Sequence, residues 1–435
     1  MSKKKIAMFV WNYFTNDARV MRECLALQEA GYHVDLIAIH DSKQPDLPYQ
    51  ESPAKNFTVH RVKTGYPDFL QPLINGMKYI KRSKISLVLI SCVFLLLLLF
   101  FPLQTLIVSV ILALFSLKKM QVLVGRSLIF TRMVYKGLSK RYDIYHANDL
   151  NTLPQATFCA KVFRRKKLVY DSHEVQTSRT GYNSPIYGIS EKFLLHATDV
   201  CIHENDTRAA YIEKRYHFYP KVVHNYPNKV YPEKSPGVDL HGLLDIPESE
   251  PILLYQGGVQ IGRGLDKLIA AVKLFDRGVV VIIGDGRIKA ELQEQVRDLK
   301  MEQKVKFLPK VPLQELLGYT KNAYLGFQIL NNVCFNHYSA SSNKLFEYVM
   351  SGVPVIGSNF PEIRKIVRGE GIGIIVDSHD PTSIAVGVNT LLADPALRDK
   401  MSANCFQARE VYNWDLEKAI FLEIYKELED GYDEE

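Results

Sequence analysis

The chain has 435 residues, too many for one ordinary hydrophobic core, so about two to three domains are expected. Hydrophobic residues make up 47% and charged residues 23%, the balance of a folded protein, which excludes a chain disordered throughout. The net charge of +7 attracts polyanions in general, but no basic motif is interleaved with aromatic residues, so no nucleic-acid partner is expected.

Ile6–Val10 is a short buried-strand run, and Val20–Ala30 has helical periodicity that Gly31 ends as a C-cap. Val34–Ile39 is the next strand, and Phe57–Val62 reads as an edge strand. The run from Ile85 to Leu117 then contains no Asp, Glu, Lys or Arg. Pro102, followed by Gln104, divides it into Ile85–Phe101 and Leu103–Leu117, each arm short for the ~20 residues a membrane crossing needs. Lys81, Arg82 and Lys84 precede the run, and Lys118, Lys119, Arg126 and Arg132 follow it. Basic flanks on both sides place both ends at the cytoplasmic face. The expectation is a re-entrant or monotopic hairpin over 85–117, bent at Pro102, that anchors the protein to membrane lipids.

A basic amphipathic stretch (Ile129, Met133, Val134, Leu138) leads to the strands Ile144–His146, Leu168–Tyr170 and Val200–His203. Alternating strands and helices predict an α/β fold with a parallel, doubly wound sheet. Tyr226 to Gly242 reads as a linker, after which the pattern restarts with strands Ile252–Tyr255, Val279–Ile283, Val305–Leu308, Pro354–Ile356 and Ile372–Val376. The domains are therefore 1–225, carrying the insertion, and 226–408, with a helix over 409–435. None of the six cysteines forms a CxxC pair or has metal spacing; they read as small buried hydrophobes suited to a reducing cytoplasm.

Three clusters in the second domain carry chemistry. Tyr255-Gln256-Gly257-Gly258 leaves a strand and Gly262-Arg263-Gly264 opens a helix, where glycines admit a diphosphate to the backbone and Arg263 supplies charge. Gly284-Asp285-Gly286 forms a tight turn after the next strand. In Ser342-Asn343-Lys344-Leu345-Phe346-Glu347-Tyr348, Ser342 or Asn343 caps a helix whose dipole faces an anion, and Glu347 lies one turn in, placed to accept from vicinal hydroxyls. Taken by itself, the Lys344–Glu347 spacing also describes a solvated surface pair.

In this order the clusters resemble the donor domain of glycosyltransferase family 4. Asn16-Asp17-Ala18-Arg19, the stretch through Asn148-Asp149 and that through Asp171-Ser172-His173-Glu174 resemble its N-terminal domain. The resemblance implies a GT-B fold, two Rossmann-like domains, and a retaining transferase that uses a nucleotide-sugar donor. It further implies that Glu347 holds the donor ribose, that Arg263 binds the diphosphate and that His173 lies beside the transferred sugar. The family's first glutamate falls at Ser339 and its second diphosphate cation at Gly258, leaving Lys344 to substitute. The expected site is thus His173, Arg263 and Lys344 for catalysis, with Gly258, Gly284, Ser342, Asn343, Leu345 and Glu347 binding the donor, and Asp17 and Asp149 touching the acceptor. The expected reaction moves a hexose from a UDP- or GDP-sugar to a lipid-linked or glycan acceptor, with no cofactor or metal required. An inverting transferase and a non-catalytic membrane-bound sugar-nucleotide sensor are the alternatives.

Overall fold

The structure is a computed structural model and describes residues 4–67, 93–179, 184–231 and 236–430. The chain divides into two compact units, Met1–Asp171 with Phe193–Val200, and Ser172–Lys192 with Cys201–Glu435.

In the first unit, β1 (Lys5–Phe9), β2 (His33–Ile39), β4 (Phe57–Val62), β5 (Ile144–Asn148) and β6 (Lys167–Ser172) form a parallel sheet, ordered β4-β2-β1-β5-β6. Continuous burial of Ile6 to Phe9 matches a strand covered on both faces. The helix Ala18–Glu29 starts where the Asp17 carboxylate accepts the Val20 N–H, and its end passes into Gly31 at φ +98°. Phe57–Val62 is not an edge strand. The antiparallel β3 (Gln50–Ala54), polar and containing Pro53, covers it and forms the edge itself, a place proline tolerates.

The apolar run is helical over 93–100 and again over Pro102–Ser116, with the break at Phe101–Pro102 where proline was expected to interrupt it. Residues 85–92 of the expected hairpin lie outside the described residues. No helix among the described residues is long and apolar enough to cross a membrane. The basic amphipathic stretch belongs to the helix Lys118–Leu138, which buries Ile129, Met133 and Gly137. A Cβ on Gly137 would lie 2.6 Å from the Phe9 ring, so the helix backbone rests directly on the strand.

The second unit has a six-stranded parallel sheet ordered β11-β10-β9-β12-β13-β14. Its strands are β9 (Ile252–Gln256), β10 (Val279–Ile283), β11 (Val305–Leu308), β12 (Leu325–Gln328), β13 (Val355–Ser358) and β14 (Gly373–Val376). This order reverses between β9 and β12, which opens a crevice at their carboxyl ends. Leu254, Val281 and Ile283 pack into one core, and Leu253, Tyr255, Val280 and Ile282 into another on the opposite face. The segment expected as a linker is anchored: Tyr226 is buried, stacked on His224 and edge-on to Phe346 and Tyr412. The final helix, Trp414–Asp430, grips the same segment, its Glu417 accepting from the His224 N–H at 2.7 Å. β7 (Val200–His203) and β8 (Lys221–Val222) pair in parallel.

Candidate functional site

The crevice of the second sheet is built from three backbone turns. After β9 the chain runs through Gly257 (φ +125°), Gly258, Gly262 (φ +81°) and Gly264 (φ +68°). The Gly257 N–H donates to the Ile283 carbonyl and the Val259 N–H to that of Asp285, so this turn lies directly against the one after β10. A Cβ on Gly284 would sit 1.9 Å from the Gly257 carbonyl oxygen, and Gly284 is at φ +152°, so no other residue fits. Gly284→Ala is expected to cost on the order of 3 kcal/mol or more, read as a lower urea midpoint at unchanged slope.

The third piece is the helix Asn343–Ser351, which enters the crevice from beyond β12. Ser342 stands at its N-cap but makes no side-chain capping bond, because its hydroxyl accepts instead from Gln328. The Leu345 N–H goes to the Ser342 carbonyl and its side chain to the core, which leaves Leu345 a packing residue. The first turn thus has uncapped N–H groups at the positive end of the helix dipole.

Lys344 is not the solvated residue its spacing also described. It is 6% exposed, its ammonium lies 4.1 Å from the centre of the Tyr255 ring, and its Nζ has no hydrogen-bond partner. Burial, and then the positive charge of Arg263, holds its pKa well below the usual lysine value despite Glu347. An ammonium stripped of water and given only a ring face is chemically able to take an anion as its partner. Arg263 is half-buried, with no hydrogen bond or ion pair from its side chain to a described residue. His337, whose pKa is lowered chiefly by burial and then by Arg263, packs where a Gly262 Cβ would fall.

Glu347 makes no ion pair with Lys344. Its Oε2 accepts from Gln256 Nε2 at 2.6 Å, and Gln256 Oε1 in turn accepts from the Thr320 hydroxyl at 2.8 Å. Burial raises the Glu347 pKa, and the Gln256 bond, then Lys344, pull it back. The structure therefore gathers Gly258, Arg263, Gly284, Ser342, Asn343, Lys344 and Glu347 around the carboxyl ends of β9, β10 and β12.

His173 follows β6 and belongs to the second unit. Its carbonyl accepts from Arg208 Nη1 at 2.6 Å, and the same guanidinium donates through Nε to the Ser339 hydroxyl at 3.1 Å. Ser339 is wholly buried and its carbonyl accepts from Asn205, so the position of the absent glutamate serves structure. Asp17 and Asp149 lie in the first unit, after β1 and β5. Asp17 is engaged as a helix cap, and Asp149 holds φ +64° at a strand end. Also in that unit, Glu23, His146 and Asp171 place ligand atoms within 4.8 Å of one another. Arg19 takes both Asp171 oxygens and also pairs with Glu23, so the group reads as a buried ion network rather than a metal centre. The sequence shows Gln256 only as part of the glycine turn and gives no signal for Thr320 or Arg208.

Residues 240–407 match the family model described as Glycosyl transferases group 1, so the second unit carries a glycosyltransferase domain. A D-inositol 3-phosphate glycosyltransferase of Xylanimonas cellulosilytica is 27% identical over 187 residues, 42% of this chain and 43% of that protein. The chain spans about half the length of the curated relatives it matches, 43%, 56% and 51% for three of them. Among solved structures, sucrose-phosphate synthase from Thermosynechococcus elongatus superposes with a TM-score of 0.72 at 16% identity, over 99% of this chain and 100% of that one. HepE of Anabaena, in complex with UDP and glucose, gives 0.66 at 13% identity, over 98% of this chain and 100% of that one. The fold is accordingly the two-domain α/β arrangement of the GT-B kind.

Proposed function

We propose that the protein is a glycosyltransferase of family 4 type that takes a hexose from a UDP- or GDP-sugar and passes it, with retained anomeric configuration, to a lipid-linked or glycan acceptor. The observation that carries this reading is the buried Lys344 ammonium, without a hydrogen-bond partner, at an uncapped helix start and within the field of Arg263. Two cations and a helix terminus match a diphosphate and stabilise it as it departs, so no metal is needed for that charge. Glu347 holds the ribose and His173 lies beside the sugar. The bond from the anomeric carbon to the diphosphate breaks as the acceptor oxygen attacks the same face, and the leaving phosphate takes the acceptor's proton.

A membrane setting at the cytoplasmic face is supported by the side chains of 93–110, most of which are large, apolar and exposed. Relatives named for D-inositol 3-phosphate make a soluble phosphorylated acceptor the competing choice. The non-catalytic sensor reading draws on Ser339, whose hydroxyl is already committed to Arg208. Product analysis separates these: neither transfer nor slow donor hydrolysis by a protein that binds the donor would favour the sensor. Inverted product would replace the retaining mechanism with an inverting one.

The test of the site is a thermal-shift panel of UDP, GDP and ADP sugars with the unsubstituted protein and Arg263→Ala. One nucleotide class at about 100 times its Kd is expected to stabilise the protein by about 2.7 kcal/mol, a shift largely lost in the variant. Unchanged melting with every sugar nucleotide would overturn the assignment.

A further inference from the structure

A lysine and a glutamate three residues apart on one helix ordinarily meet as an ion pair. Lys344 and Glu347 do not. Lys344 turns to the Tyr255 ring, while Glu347 is held by Gln256. Gln256 is the last residue of β9 and is 1% exposed; Thr320, which ends the helix Leu313–Thr320, is buried equally deeply. Three elements thus converge on one carboxylate.

The direction of this relay follows from what each group is able to donate. A carboxylate only accepts, so Gln256 must present its NH2 to Glu347 and is left with its carbonyl oxygen facing Thr320. That oxygen accepts only if the Thr320 hydroxyl points toward it, although the Leu316 carbonyl, also 2.8 Å away, competes for the same proton. The chain Thr320 to Gln256 to Glu347 is therefore polarised toward the site. It occupies Glu347 Oε2 and leaves Oε1 without a protein donor among the described residues.

We propose that Thr320 and Gln256 are positioning residues that hold the Glu347 carboxylate off Lys344 and offer its second oxygen to the ribose of the bound donor. The proposal rests on the donor reading above and adds a division of labour to it. Without the clamp, the empty site closes on itself: Glu347 swings to the ammonium, and both groups lose their ligand. With it, the cation stays available to phosphate and the carboxylate to hydroxyls.

The test measures binding of UDP and GDP, each beside its 2′-deoxy counterpart, to the unsubstituted protein, Thr320→Val, Thr320→Ser and Gln256→Leu. The unsubstituted protein is expected to prefer the ribonucleotide by about 10-fold or more, as a charged hydrogen bond to a hydroxyl requires. Thr320→Val, nearly unchanged in volume, is expected to reduce that preference to about 2- to 3-fold, and Thr320→Ser to restore it. Gln256→Leu is expected to remove it, since nothing then holds the Glu347 carboxylate off Lys344. A preference kept intact in Thr320→Val and Gln256→Leu, even with lowered melting, would show a structural role only and overturn the clamp while leaving the donor site standing. A protein that binds nucleotide with no ribose preference would overturn it as well. Failure of the unsubstituted protein to bind either nucleotide would overturn the donor reading and this one together.

Discussion

Lys344→Met is expected to abolish nucleotide-diphosphate binding and, in the same protein, to raise the melting temperature of the ligand-free form. The two effects have one cause. In the empty site the ammonium has lost its water, faces the Tyr255 ring, lies in the field of Arg263 and is denied Glu347 by Gln256. Replacing a buried charge by an apolar side chain of similar length stabilises by on the order of 1–4 kcal/mol where its partners are poor. At roughly 2–4 °C per kcal/mol for a unit of this size, a rise of several degrees is measurable by calorimetry. The diphosphate meanwhile loses its most desolvated contact, at a cost of about 100-fold or more in affinity. A variant that melts lower and still binds the donor would remove Lys344 from the site.

The pH dependence has a definite sign. The folded-state pKa of Lys344 lies well below the ordinary 10.5, so the penalty for burying the charge is complete below that folded value. It fades as pH rises from there toward 10.5, where the unfolded chain binds more protons than the folded one and stability increases with pH. The stability advantage of Lys344→Met should narrow over the same window. Bound diphosphate raises the lysine pKa again, so nucleotide affinity is level below the free-state value and declines above it. Titration in buffers of differing ionisation heat should record proton uptake on binding within that window, and none for the variant.

How much of this was legible in the sequence depends on the range over which each feature acts. The glycine turns were visible because their cause is local: φ +125° at Gly257 and a backbone contact at Gly284 admit no other residue. The helix Asn343–Ser351 announced itself through its cap position and apolar stripe. β12 was hidden, since its Gly326 weakens the strand pattern, and the reason is the Tyr348 ring, 2.6 Å from where a Cβ would stand. Gln256 bonds across separations of 91 and 64 residues to Glu347 and Thr320, and no spacing rule reaches that far. The same limit explains why Lys344 and Glu347 fitted a surface pair: periodicity places both on one helix but says nothing of the strand end and ring that bury one and capture the other.

Under the proposed membrane setting, the substitutions Leu99→Glu and Phe100→Glu, made together, are expected to release the protein from lipid vesicles. Leu99 is 80% exposed and Phe100 73%, within a series that includes Leu95, Leu96, Phe101, Leu103, Leu106 and Ile107 and continues at Val122 and Leu123. A folded monomer seldom leaves more than a few hundred Å² of contiguous apolar surface in water, which supports the proposed lipid contact for this face. The adjoining helix places Lys118, Lys119 and Arg126 at its exposed or half-exposed positions, which favours an anionic lipid surface over a second apolar protein face. Burying one Leu or Phe contributes about 1.5–3 kcal/mol, and each well-placed basic residue about 1 kcal/mol. Losing two apolar anchors and gaining two carboxylates then removes several kcal/mol, more than 100-fold in partitioning. Lys118→Glu with Lys119→Glu should weaken binding to anionic vesicles alone and leave the weaker binding to zwitterionic ones unchanged. Should the unsubstituted protein remain in the supernatant with both vesicle types and run as a dimer that Leu99→Glu dissociates, a second copy rather than lipid covers the face, and the membrane setting falls.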